Sequence, residues 1–223
     1  MRRKELLVTG EVYHVFSKSI AGYKIFNAKK DYIRIQEMMK YFQIEGRPFK
    51  FSELARLKEV RSEGACQYLE KQEQRGKEIV QIVAYCIMPT HFHLLLKQLK
   101  DGGTSKYLGN ILNSFTRYFN IKYKRKGPLW EGRFKNVRME SNDQLIHVTR
   151  YIHLNPVTAY LCKKPEDWQA SSYKEYLKDV GLRRRLCAYD DLLEIDSKAY
   201  QKFVEDQIDY QRELDKIKHL LLD

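Results

Sequence analysis

His91-Phe92-His93 sets two imidazoles on either side of one bulky apolar residue, inside a largely apolar run from Ile79 to Lys97. The β-branched and aromatic content of this run suits a buried strand. On a strand, residues two apart share a face, so both imidazoles project together while Phe92 turns to the other side. Two neutral imidazoles a few ångströms apart make half of a divalent-metal site. The plain alternative is a pair of histidines hydrogen-bonded within a sheet. A second set of reactive groups lies in Arg150-Tyr151-Ile152-His153-Leu154-Asn155-Pro156. Tyr151 and Asn155 stand one helical turn apart and share a face. The amide oxygen of Asn155 would complete a three-ligand site with His91 and His93, leaving positions for water and a phosphate oxygen. Such a mixed nitrogen and oxygen set suits Mg2+ or Mn2+. The Tyr151 phenol would stand beside the metal-bound phosphate. It ionises at about pH 10, so attack at neutral pH needs a cation or a base. His147, a turn before Tyr151, is a rival ligand or a proton shuttle. His153 should point away, as a structural or surface residue. Taken alone, a Tyr on an amphipathic helix is most often core packing.

The rest of the composition bears on the partner. A net charge of +12, from 41 Lys and Arg against 29 Asp and Glu, attracts polyanions, nucleic acid first among them. A chain of 223 residues allows one large domain, or one domain with a small appendage. Cys66, Cys86, Cys162 and Cys187 are scattered with no C-x-x-C pair, which argues against a zinc ribbon and against an oxidising compartment. No stretch reads as a signal peptide or a membrane span, so a cytoplasmic location is expected.

The elements that must position these groups can be read in outline. Glu11 to Ser17 alternates as a first strand. Asp31 could cap a helix in which Tyr32, Ile35, Met38, Met39 and Phe42 recur at helical spacing. Residues 45–77 are highly charged and read as an insertion of short helices. Ser105 to Lys124 reads as an amphipathic helix with Leu108, Ile111, Leu112, Phe115, Tyr118 and Phe119 in its apolar stripe. From Arg133 to Glu140, basic and apolar residues alternate, as in a strand with one face in the core and one toward an anion. Ser141 is a plausible N-cap for the helix carrying Tyr151, which Pro156 would kink or end. In the tail, Trp168 and Ser171-Ser172-Tyr173 read as a docking segment and Ala199 to Leu222 as a charged terminal helix. This order is not regular βαβ winding. An α+β fold is expected, with an antiparallel sheet and helices packed on one side.

Three blocks together carry a resemblance. Tyr85 to Leu95 (YCIMPTHFHLL), Gly127 to Phe134 (GPLWEGRF) and Arg150 to Pro156 (RYIHLNP) closely resemble the IS200-like tyrosine transposases. Within that family they look most like the branch associated with repetitive extragenic palindromes (REP). The blocks occur in family order, and the similarity covers about residues 10–177. The family's His-hydrophobic-His (HUH) ligands fall on His91 and His93, and its nucleophilic tyrosine on Tyr151. The polar ligand four residues later, Gln in typical members, falls on Asn155, a difference that fits the REP-associated branch. The resemblance implies a ferredoxin-like, RRM-like antiparallel sheet with the HUH motif on a central strand. It implies a transposase domain over 1–177; the helical insertion at 45–77 and the C-terminal helical extension over 178–223 depart from the smallest members of the family.

The implied activity is that of a metal-dependent endonuclease and strand transferase on single-stranded DNA. Tyr151 attacks a phosphate, giving a 5′-phosphotyrosine and a free 3′-hydroxyl, and the covalent link conserves the bond energy for rejoining. A palindromic hairpin is the implied target. Arg117, Lys124, Arg133, Lys135 and Arg138 are candidate DNA contacts, Arg133 and Lys135 foremost; for each, a solvated basic face is the bland alternative. Trp130 could stack on a base, yet its Leu-Trp-Glu-Gly setting favours a core anchor. Two other readings stand beside the enzyme: a domesticated DNA-binding protein that does not cut, and a replication or mobilisation initiator sharing the same chemistry. Both monomer and homodimer are open.

Overall fold

A computed structural model describes residues 6–47, 49–54, 56–58, 60, 68–69, 78–178 and 185–213. Strands β1 (Val12–Lys18), β2 (Val80–Ile87), β3 (His91–Gln98) and β4 (Lys135–Arg138) form one antiparallel sheet in the order β2-β3-β1-β4. The strand carrying His91-Phe92-His93 is therefore an interior one. The apolar run from Ile79 to Lys97, read in the sequence as one strand, is a hairpin of two. Pro89 cannot donate to a ladder, and the chain reverses there, with the Met88 N–H donating to the His91 carbonyl at 2.8 Å.

Among the described residues, the longer helices are α1 (Lys29–Phe42), α2 (Gly103–Lys122), α3 (Asn142–Thr158) and α4 (Ser197–Glu205), the last packed on α3. The fold is α+β, as expected, but its helices lie on both sides of the sheet. Phe92 points to α2, its ring 5.6 Å from Trp130, which in turn contacts Phe115 of α2. His93 points to the opposite side, where Tyr151 of α3 lies 5.7 Å away. The reason is in β2 and β3. Ile82, Ala84, Leu94, Leu95 and Leu96 are all buried, so successive residues on both faces are apolar and each face needs cover.

Ser141 caps α3, its hydroxyl accepting from the Gln144 N–H at 3.1 Å. Pro156 does not end α3. The helix runs on to Thr158, giving up a single ladder bond. Asp31 is not the cap of α1, which begins earlier, after Ala28; it sits in the first turn and accepts the Asn27 and Ala28 N–H groups at 3.1 and 3.0 Å. Fully buried, it also pairs with Lys122 at 2.6 Å and Tyr118 at 2.8 Å, tying α1 to α2. Trp130 is a core anchor, its indole N–H shared by the Leu112 carbonyl and the Thr116 hydroxyl.

The segment after α3 runs along the outer edge of β2. Ile87 N–H donates to Ala170 O, Ser172 N–H to Tyr85 O and Ala188 N–H to Ile82 O, at 2.9, 3.0 and 2.9 Å. Trp168 donates to Ile87 O, so this segment does dock, as read. The terminal helix starts at Ser197 and is interrupted after Glu205. Of the insertion at 45–77, the turn Phe51–Leu54 is described; residues 61–67 and 70–77, like 214–223 of the tail, lie outside the described residues.

Candidate active site

The chain reversal at Pro89 puts His91 and His93 at the first and third positions of β3. Antiparallel pairing sets His91 opposite Lys18 and His93 opposite Phe16 on β1. Alternation then brings His14, Phe16 and Lys18 to the same face as the histidine pair. His91 and His93 stand with ring centroids 5.1 Å apart and planes nearly perpendicular. His14 reaches diagonally across to His93: its Nε2 lies 2.9 Å from His93 Nδ1, with the rings stacked. On the other side of His91, the Thr90 hydroxyl lies 2.9 Å from His91 Nδ1.

α3 delivers Tyr151 over this face. Its ring meets His93 edge-on at 5.7 Å and His14 at 6.2 Å. The helix also leaves Tyr151 41% exposed. Asn155, one turn on, donates its side-chain N–H to the Tyr151 carbonyl at 2.8 Å, which leaves its amide oxygen as the acceptor. The structure thus brings together His91, His93, Tyr151 and a histidine not singled out in the sequence, His14.

Burial sets the electrostatics. Desolvation pushes His14 down to about 4, and desolvation with Lys18 nearby pushes His91 down to about 4. His93 falls well below the ordinary histidine range, through burial first and then His14, His91 and Lys18. At neutral pH all three rings are uncharged and keep a nitrogen lone pair, the form that binds a cation. Among the described residues, no three His, Cys, Asp or Glu side chains converge as a metal site. A divalent ion held by His91 and His93 would take its remaining ligands from an amide, water or substrate. The residues present fit a hard divalent ion of that kind.

The other candidates separate. His147 turns to Arg150 and packs against the Phe203 ring, 5.5 Å away, so the structure does not bring it to the histidine pair. His153 is buried and held at both nitrogens, by Tyr200 at 2.6 Å and Ser172 at 2.8 Å; it is structural. Lys135 pairs with Phe16 in register and lies on the histidine face. Together with Arg133, Lys18, Phe16, Ser17, Glu131 and Gly132 it lines a cavity of about 240 Å3. Arg138 pairs in register with Tyr13, hence on the other face, and is ion-paired to Glu11 at 2.7 Å. Arg117 and Lys124 belong to α2 and the turn after it, across the sheet from the histidines. No described helix is long and apolar enough to cross a membrane.

Comparison with known proteins agrees with the resemblance read from the motifs. The family profile of IS200-like transposases matches residues 58–155. A Haemophilus influenzae protein named for the REP-associated tyrosine transposases is 30% identical over 107 residues, covering 43% of this chain and 60% of the relative. The solved structure of a REP-associated tyrosine transposase bound to a REP hairpin is similar in fold. It superposes with a TM-score of 0.52 at 14% identity, over 88% of this chain and 96% of that one.

Proposed function

From a chain whose residues 58–155 match the IS200-like transposases, we propose a divalent-metal-dependent endonuclease and strand transferase acting on single-stranded, hairpin-forming DNA. The observation that carries this reading is the exposed Tyr151 ring edge-on to His93 of the His-Phe-His pair. Tyr151 is the nucleophile. His91 and His93, with the amide oxygen of Asn155, would hold the metal, Mg2+ or Mn2+. Bound there, the ion would polarise the scissile phosphate and neutralise charge building in the in-line transition state.

In the first step the Tyr151 oxygen forms a bond to phosphorus and loses its proton to solvent. The bond from phosphorus to the 3′-oxygen breaks, and that oxygen takes up a proton to become a 3′-hydroxyl. A 5′-phosphotyrosine remains. Attack by another 3′-hydroxyl reverses the step and rejoins DNA without ATP. One nucleophile per chain means that full transposition takes a second subunit or a second turnover. The strand would run along the histidine face, with Lys18, Arg133 and Lys135 at phosphates and Phe16 against a base. A hairpin target is supported by the hairpin-bound structural neighbour.

The test is incubation with labelled single-stranded hairpin DNA from the flanks of the chain's own gene, with Mn2+, followed by a denaturing gel. A covalent band that disappears in Tyr151→Phe and with chelator is the expected result. Tight binding with no adduct would make the chain a non-cutting binder. An adduct that survives Tyr151→Phe would move the nucleophile elsewhere.

A further inference from the structure

Each neutral imidazole has one protonated nitrogen and one lone pair, and a metal can take only the lone pair. Which nitrogen that is depends on the partner of the other one. In both histidines of the pair, Nδ1 is already engaged: His91 by the Thr90 hydroxyl and His93 by Nε2 of His14, each at 2.9 Å. Each Nε2 is therefore the nitrogen left to face a cation. For His93 the arrangement has two settings. If His14 donates, the His93 proton is forced onto Nε2 and that ring cannot ligate. If His14 accepts, Nδ1 of His93 carries the proton and Nε2 keeps its lone pair.

We propose that His14 is a positioning residue for the metal site: its Nε2 accepts the Nδ1–H of His93 and so leaves His93 Nε2 as the metal-facing donor. This rests on the reading of His91 and His93 as ligands. His14 acts through His93 and not as a ligand, because its own Nε2 is spent on that hydrogen bond. The stacking of the two rings, 22° from parallel, also fixes the orientation of His93. Sequence spacing alone conceals the residue, since 79 positions separate the partners.

The experiment uses the full chain, stripped with chelator and titrated with Mn2+ while free Mn2+ is followed by electron paramagnetic resonance. Variants are His14→Phe, His14→Gln and His91→Ala. Replacing His14 by Phe keeps a ring and removes the acceptor, and should weaken Mn2+ binding about 10–100-fold. Gln offers an oxygen at similar reach and should recover most of the affinity. Nitrogen-15 spectra of the metal-free protein should show His93 protonated at Nδ1 in the wild type, and at Nε2 in His14→Phe. A merely structural role for His14 would not move that signature. If His14→Phe fails to fold, the Gln variant and the wild-type tautomer decide. Wild-type Mn2+ affinity in His14→Phe, with binding lost in His91→Ala, would overturn the role of His14 alone. Loss in His14→Phe as complete as in His91→Ala, with no rescue by Gln, would overturn it in favour of a third ligand. Unchanged binding in His91→Ala would overturn the parent reading of the site.

Discussion

Nδ1 of His153 and the hydroxyl of Tyr200 lie 2.6 Å apart, joining the core side of α3 to the C-terminal helix two residues along from Tyr151. The same helix pair is closed on its outer side by the Arg150 guanidinium, 4.2 Å above the Phe203 ring. The tail thus holds the helix that carries the proposed nucleophile.

Tyr200→Phe should lower stability by about 1–3 kcal/mol, because it leaves a buried imidazole nitrogen unpaired. A lowered urea midpoint with unchanged slope is the expected reading. Unchanged stability would mean that the bond is dispensable to the docking of α4.

Acid should unfold the metal-free protein earlier than its carboxylates alone would require. His153 is pushed by burial to about 3, and His14 and His91 to about 4, from the ordinary 6.5. Below pH 6.5 the unfolded chain binds protons at these sites that the folded chain refuses. Stability is full above that pH and falls as pH drops toward 4, each group adding a slope of up to about 1.4 kcal/mol per pH unit. Glu175 works in the opposite sense, since burial raises its carboxyl and folding then favours its protonated form. Urea titrations in chelator from pH 7.5 to 4.5 check the sign; a flat profile would contradict it.

Asn155→Ala should weaken Mn2+ binding and adduct formation together, while Asn155→Gln should retain both in part. Gln presents the same amide oxygen on a longer arm, and it stands at this position in typical members of the resembled family. Equal adduct yields in wild type and Asn155→Ala would remove the amide from the ligand set.

Lys135→Ala should weaken hairpin binding and reduce the magnitude of the log–log salt slope by about one. Arg138→Ala should leave that slope unchanged, since Arg138 is paired with Glu11 on the other face. Fluorescence anisotropy across a salt series separates the two. Equal effects would mean that the DNA does not follow the histidine face.

The local features of this fold were legible because they depend on neighbours in sequence. The Ser141 cap, the amphipathic stripe of α2 and the shared face of His91 and His93 all follow from spacings of four residues or fewer. The sidedness of the sheet was not legible in that way, nor was the role of His14. His14 meets His93 only through the antiparallel register of β1 and β3, and register is set by the whole sheet. Arg138 and Lys135 are three residues apart on one short strand, and only their register partners, Tyr13 and Phe16, tell which face each takes. The break of the apolar run at Pro89 was visible as a residue, but the continuous hydrophobicity on both sides masked it.

The segment bonded along β2 has a consequence for how copies of this chain can meet. With the Ile87 amide and the Tyr85 and Ile82 carbonyls already engaged by Ala170, Ser172 and Ala188, that margin of the sheet has little left to offer an incoming strand. Growth of the sheet by strand addition is left to β4, which is only four residues long and bears Lys135 and Arg138. Short length and like charge both discourage self-pairing there. The margin that carries Lys135 is therefore a poor template for pairing with a second copy.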